Sequence, residues 1–462
     1  MNGFMSVCLE WAIALGQAAR SVLGHAAGAP VASDNNVFAK AAWRLIPFMV
    51  LLYVVAYLDR VNVGFAKLTM DTDLGLSEVA YGLGAGIFFF GYFLFEVPSN
   101  VIMEKVGARI WICRIMLTWG VVSMATAFVT GPYSFYAARF LLGLAEAGFF
   151  PGMVLYLTYW FPSPVRARLI ALFLAGVPMA NVLGGPTSGL ILGMEGIRHL
   201  HGWQWLFLLE GLPAVVLGLA VLRVLPNGPK DARWLDGEER GVIAASLAGE
   251  PKHDHETLAS MFADPRVWLL AIPDFGIVLA LYGVNLWMPT MVKAMGFDNF
   301  QTGLVCAAPY LAAVFVMVLW GLSSDARRER VWHTAAASLL GAAGLVGVAL
   351  FHSNLAVLIS LGVAVCGTYA ALAVFWTLPP SFLGGTAAAG GIALINSISN
   401  LGGFFGPAVM GWLKQHTGGF STGLGVLAAG MAVAAVLIVI VGRTVTFAGR
   451  AHALEKFTRL NA

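Results

Sequence analysis

The chain has 462 residues, 59% of them hydrophobic and only 11% charged, with a formal net charge of +3. A soluble domain carries about a quarter charged residues, so there is too little polar surface here to wrap a water-soluble core of this size. The solvent is largely lipid, where only helices and closed barrels satisfy their own backbones. Barrel strands alternate and span in roughly 10 residues. The apolar runs here are longer and continuous, and they suit helices of about 20 residues.

Residues 1–42 read as a cytoplasmic tail. A signal peptide wants a basic start and a clean apolar block, whereas Glu10 interrupts the block and Arg20 follows it. Twelve spans are then expected, at 44–68, 79–103, 109–129, 132–157, 166–192, 203–225, 267–292, 300–322, 332–351, 355–379, 386–413 and 420–444. Gly131-Pro132-Tyr133 joins the third and fourth by a tight loop, which makes them antiparallel neighbours. The one long polar stretch, 226–266, holds Lys230, Asp231, Arg233, Asp236, Glu238, Glu239 and Arg240. It divides the chain into a six-helix bundle over 43–225 and another over 267–445, with a second tail at 446–462. His253 and His255 in that stretch read as solvated linker residues and not as a metal site. Cys8, Cys113, Cys306 and Cys366 lie far apart with no CxxC spacing, which argues against a zinc site or a disulfide framework.

Lysine and arginine positions set the expected orientation. Of the 27 such residues, 21 fall on the side of the termini and the linker. The opposite side holds Lys67, Arg198, Lys293 and Lys414, and Arg60 and Arg139 lie inside spans. Both termini and the linker are therefore expected to be cytoplasmic, in a multi-pass protein of the cell's inner membrane.

The chain repeats itself. Glu104, Arg109 and Trp111 after the second span recur as Asp325, Arg330 and Trp332 after the eighth, each offset by 221 residues. Gly185-Pro186 recurs at the same offset as Gly406-Pro407. Two copies in one orientation are implied, an architecture that binds substrate near the bilayer midplane. The acid of each copy can cap a neighbouring helix or pair with the loop arginine. Glu104, Arg109, Asp325 and Arg330 are thus candidates for a cytoplasmic gate.

Several stretches together carry a family resemblance. They are Tyr57-Leu58-Asp59-Arg60-Val61-Asn62-Val63-Gly64-Phe65-Ala66, then Gly91-Tyr92-Phe93 with Glu96-Val97-Pro98-Ser99-Asn100. Further along come Arg139, Gly143 and Glu146-Ala147-Gly148 with Pro151-Gly152, then Trp160-Phe161-Pro162, Glu210-Gly211-Leu212-Pro213 and Ala232-Arg233-Trp234-Leu235. Over residues 43–445 the chain resembles the major facilitator superfamily, and within it the anion:cation symporter family. The first-helix version is more similar to the tartrate, phthalate and hydroxyphenylacetate permease branch than to the sugar-acid branch. Asn100 departs from the glycine usual in the superfamily motif, and Gly184-Gly185-Pro186-Thr187-Ser188-Gly189 is a partial form of an antiporter motif. The resemblance implies an all-α membrane protein of twelve helices in two pseudo-symmetric bundles. It implies proton-coupled uptake of a small organic anion by alternating access, and a transporter rather than an enzyme. A sugar-acid symporter, an anion exchanger or sodium symport, and a non-transporting receptor are the alternatives.

Charges inside spans sharpen this. A charge near the bilayer centre costs at least about 2.5–3.5 kcal/mol on insertion scales, and Asp59, Arg60, Arg139 and Glu146 all fall there. They can form a buried ion-pair network that simply joins the first and fourth helices. They can also work: Arg139 and Glu146 are two helical turns apart on one face, and Glu146 lies among Ala145, Ala147, Phe149 and Phe150, surroundings that favour a protonated carboxyl. Arg60 offers a planar, always-charged fork suited to a carboxylate. The resemblance implies Asp59 and Glu146 as proton sites, Arg60 as the anion anchor, and Arg139 as the partner of Asp59 when substrate is absent. Tyr57, Tyr92, Asn285, Trp287, Trp376, Asn396 and Asn400 are further candidates for the pocket. Asn396 and Asn400 share one helix face, which points inward or glues helices. No GxSxG, HExxH or phosphate-binding loop is present. No metal or cofactor beyond the coupling proton is expected, and the expected partners are the anion and membrane lipid, with no nucleic acid, for a monomer.

Overall fold

A computed structural model describes residues 32–248, 264–379 and 387–460. The first part of the expected tail, His253 and His255 lie outside these. Fifteen α-helices and three short 3-10 turns make up the described chain, without a strand. They are α1 (Ala32–Leu74), α2 (Glu78–Val106), α3 (Ala108–Ala125), α4 (Pro132–Glu146), α5 (Phe149–Thr158), α6 (Ser163–Leu174), α7 (Gly176–Leu192) and α8 (Gly202–Val224). After these come α9 (Gly237–Ala248), α10 (Pro265–Lys293), α11 (Asn299–Arg327), α12 (Val331–Leu350), α13 (Asn354–Phe375), α14 (Ala387–Thr417) and α15 (Ser421–Leu460).

Local chemistry fixes the helix ends. Pro132 opens α4 after Gly131, where its missing N–H costs nothing, and Ser134 Oγ accepts from the Gly131 amide at 3.1 Å. Asp298 and Gln301 cap α11 reciprocally, the Gln301 amide donating to Asp298 Oδ1 at 2.7 Å and the Asp298 amide to Gln301 Oε1 at 3.1 Å. Ser353 Oγ accepts from the Ala356 amide to start α13.

Among the described residues, ten segments are long and apolar enough to cross a membrane. The fifth and eleventh expected spans are described only in part. The fifth is divided into α6 and α7, of 12 and 17 residues, which meet at Ala175. The eleventh, α14, carries Asn396, Ser397, Ser399 and Asn400 in mid-helix. The fourth span, expected as one helix, is broken into α4 and α5. Ala147 turns to ψ 133° and Gly148 adopts a left-handed conformation with φ +84°. A Cβ on Gly148 would also lie 2.3 Å from Ser99 Oγ, so glycine is needed there twice over.

The described chain falls into two compact units. The first holds 32–76, 87–248 and 292–307, and the second 77–86, 264–291, 308–379 and 387–460. In the first, α1 packs on α7 and α8, and α3 on α8 and α4. α2 and α4 approach so closely that a Cβ on Gly143 would lie 2.0 Å from the Phe88 carbonyl oxygen. In the second, α12 packs on α13 and α15, and a Cβ on Gly367 would lie 2.2 Å from the Gly341 amide nitrogen. Also within the second unit, residues 77–86 join α14. Glu78 pairs with Lys414, the Val79 amide donates to Gln415 Oε1 at 3.0 Å, and a Cβ on Gly82 would meet the Pro407 carbonyl at 2.5 Å. Small residues at such crossings substitute backbone contact for the hydrophobic drive that lipid does not supply.

Gly143→Val therefore forces backbone from backbone. Overpacking of this kind costs about 1–3 kcal/mol or more, and the variant is expected to unfold at markedly lower temperature in detergent. Gly362→Ala, where a Cβ meets nothing within 4 Å, is the control and should unfold no earlier than the parent.

Candidate functional site

The first unit gathers the intramembrane charges. Asp59, Arg139 and Glu146 are completely buried and Arg60 nearly so. α1 supplies Tyr57, Asp59, Arg60 and Asn62, α2 supplies Phe88 and Tyr92, α3 supplies Trp119 and Ser123, and α4 supplies Arg139 and Glu146.

Two sub-clusters result. In one, Arg60 Nη2 pairs with Glu146 Oε1. The Arg60 guanidinium also lies over three rings, 5.2 Å from the centroid of Tyr92, 5.4 Å from Phe88 and 5.9 Å from Tyr57. These are cation–π distances, and the rings hold the fork in place while excluding water. Glu146 is the last residue of α4, so the chain unwinds directly after it. Its Oε2 has no hydrogen-bond partner among the described residues.

In the other, Asp59 accepts from Trp119 Nε1 at 2.7 Å, Ser123 Oγ at 2.8 Å and Asn62 Nδ2 at 3.4 Å. Three donors satisfy that buried carboxylate. Arg139 lies over Phe88 at 5.1 Å, and its charge acts on both Asp59 and Glu146. The Trp119 indole meets Phe149 edge-on at 5.1 Å, and Tyr53 stacks on Phe173 at 4.3 Å. Aromatic walls thus flank the charges.

Trp119 and Ser123 were not among the residues singled out from sequence. The available signal was their spacing of four, which puts two polar groups on one face of an apolar span. Glu210 on α8 was quoted only as part of a motif. It is buried, and Ser188 Oγ on α7 donates to its Oε1 at 2.7 Å.

The second unit holds the other candidates. Tyr310 donates to Asn285 Oδ1 at 2.6 Å, and Asn285 Nδ2 lies 3.4 Å from the Tyr369 hydroxyl. Trp287 is fully buried and committed to packing. Its Nε1 donates to the Pro407 carbonyl at 3.2 Å, its ring meets Tyr81 edge-on at 4.9 Å, and Lys414 Nζ lies over it at 5.3 Å. Trp376 ends α13 and packs edge-on against Phe375 at 5.8 Å. Asn396 and Asn400 are half-buried on α14.

The two copies of the gate motif differ in the structure. Arg330 pairs with Asp325, and its Nη1 donates to Ser324 Oγ at 3.0 Å. Glu104 and Arg109 are both exposed. The Arg109 amide instead donates to Asn227 Oδ1 at 3.1 Å.

The profile described as Major Facilitator Superfamily matches residues 49–407. The chain belongs to the major facilitator superfamily. It is accordingly a multi-pass membrane transporter and not an enzyme. A protein of Agrobacterium vitis named "Putative tartrate transporter" is 49% identical over 89% of this chain and 96% of its own length. A Pseudomonas putida protein named "Putative metabolite transport protein NicT" is 46% identical over 87% of this chain and 94% of its own. Among solved structures, a bacterial homolog of the human lysosomal transporter Spinster superposes with a TM-score of 0.68 at 16% identity, covering 88% of this chain and 96% of that one. That likeness concerns the fold.

Removing a donor from a buried carboxylate costs about 1–3 kcal/mol. Trp119→Phe is expected to destabilise the protein by that amount in detergent melts at neutral pH. In an Asp59→Asn background, which leaves no anion to satisfy, the same substitution should cost clearly less.

Proposed function

We propose that this transporter takes up a small organic anion together with protons. A dicarboxylate such as tartrate, or an aromatic acid such as phthalate or hydroxyphenylacetate, suits it best. The observation that carries this reading is the buried Arg60–Glu146 pair. A carboxylate already sits on the guanidinium. A substrate carboxylate can replace it only if Glu146 is neutralised, because an ionised acid left buried without its partner is costly. A proton on Glu146 does this. Arg60 then offers its fork to the substrate, and the interior charge of the unit is the same before and after. One proton is taken up for each carboxylate bound. Asp59 and Arg139 supply a second acid and a second base, so a dicarboxylate can be matched by two protons. The relative named for tartrate supports the substrate class.

In this reading the loaded, neutralised centre permits alternating access. Both termini and the linker face the cytoplasm, where Glu104 with Arg109 and Asp325 with Arg330 act as the gate. The transporter works as a monomer in the inner membrane.

The test is uptake into proteoliposomes under an imposed pH gradient, with tartrate, phthalate, hydroxyphenylacetate and a sugar acid as candidate substrates. Accumulation of one of the first three is expected when the outside is acidic. Losing the bidentate contact is worth about 1.5–3 kcal/mol, so Arg60→Ala should weaken binding about 10-fold or more. Glu146→Gln should retain exchange of substrate for substrate and lose gradient-driven accumulation. Accumulation indifferent to the pH gradient would overturn the proton coupling, and preference for the sugar acid would move the substrate class.

A further inference from the structure

Glu210 is a buried carboxyl that the scheme above does not use. It lies on α8. Ser188 Oγ of α7 donates to its Oε1 at 2.7 Å, and the Asn62 side chain of α1 acts on it electrostatically. Among the described residues its Oε2 has no hydrogen-bond partner, and neither does Asn62 Oδ1. The charged group acting on it is Asp59, another acid. The bases of the same interior are engaged elsewhere, Arg60 with Glu146 and three rings, Arg139 over Phe88. α3, which also packs on α8, directs Trp119 Nε1 and Ser123 Oγ to Asp59.

An ionised Glu210 would therefore sit in an apolar bundle beside a second anion, with the Ser188 hydroxyl for support. Asp59 has three donors. Of the two acids, Asp59 with three donors is the better anion, and Glu210 with one is the better acid. A proton on Glu210 Oε2 turns an acceptor without a donor into a donor. Asn62 Oδ1 is an acceptor that lacks one, and Asn62 Nδ2 in turn donates to Asp59 Oδ1. A proton on Glu210 thus removes one buried unsatisfied acceptor and leaves Asp59 with its three donors.

We propose that Glu210 is a third proton-holding group of the transporter, protonated while Asp59 is ionised and coupled to it through the Asn62 amide. Loss of the Glu210 proton puts a second negative charge beside Asp59 and changes how readily Asp59 takes up the transported proton. Glu210 thus sets the alkaline limit of transport without touching substrate. This functional consequence rests on the proton-coupled reading above, whereas the protonation itself does not.

Infrared difference spectra of the substrate-free protein at neutral pH test the proposal directly. Comparing wild type with Glu210→Gln should reveal a protonated carboxylic C=O band that the variant lacks. Ser188→Ala keeps the acid but removes its donor, and should shift that band instead of deleting it. Uptake at increasing pH supplies the second reading. Glu210→Gln cannot ionise, so its alkaline fall in uptake should be at least threefold shallower than that of wild type. A band unchanged by Glu210→Gln, or a carboxylate band lost in its place, overturns the proposal. So does an alkaline limb identical in the two proteins. If uptake proves independent of protons, the infrared result still decides whether Glu210 holds one, which separates failure of this proposal from failure of the transport scheme.

Discussion

A carboxylate inside an apolar helix bundle has to be neutralised by a base, by donors or by a proton, and the first unit surrounds three of its buried acids in three different ways. Glu146 has a base, Arg60. Asp59 has donors, from Trp119, Ser123 and Asn62. Glu210 has Ser188 and little else. These remedies differ in how they respond to a ligand. A base can be claimed by a competing anion, whereas fixed donors cannot move away. In the proposed scheme, the pairing with Arg60 makes Glu146 the acid whose state an arriving carboxylate most directly changes. Much of the local architecture can be read as support for that pair.

The break after Glu146 is part of this support. A continuous helix would carry the chain on in register after Glu146 and leave no free backbone beside it. Instead Ala147 and Gly148 unwind, and α5 starts afresh with Phe149 packed on Trp119. Non-helical backbone at membrane depth is tolerated where protein buries it or a cavity hydrates it. Here Ser99 fills the space that a Cβ on Gly148 would need. Close packing between α2 and α4 at Gly143 fixes the depth of the same helix. The carboxyl, its base and the broken helix are thus held by contacts with little freedom to yield.

Much of this was legible in the amino-acid sequence. Charge scarcity and long apolar runs identified the membrane helices, and the cost of burying charge singled out Asp59, Arg60, Arg139 and Glu146. What sequence could not supply was the partner of each charge. Arg60 and Glu146 are 86 residues apart, and no local rule chooses between Glu146 and Asp59 as the acid on Arg60. The helix break escaped because Gly148 and Pro151 sit in an otherwise continuous apolar run, where hydropathy has no feature at a kink. Trp287 shows a partner that sequence could not supply: its N–H donates to the Pro407 carbonyl. Trp119 went unnoticed, since a tryptophan in a span reads as packing until its N–H is seen to reach an acid.

The second unit has no comparable charge network. α13 contains no charged residue, and Asp274 on α10 is the one fully buried acid of that unit among the described residues. Its polar cluster of Asn285, Tyr310 and Tyr369 is neutral. The first unit by contrast buries Asp59, Glu146 and Glu210 together with Arg60 and Arg139. The duplicated sequence motifs do not extend to this chemistry. Duplication supplied two bundles of similar helices, and the buried acids and bases of the described chain are concentrated in one of them.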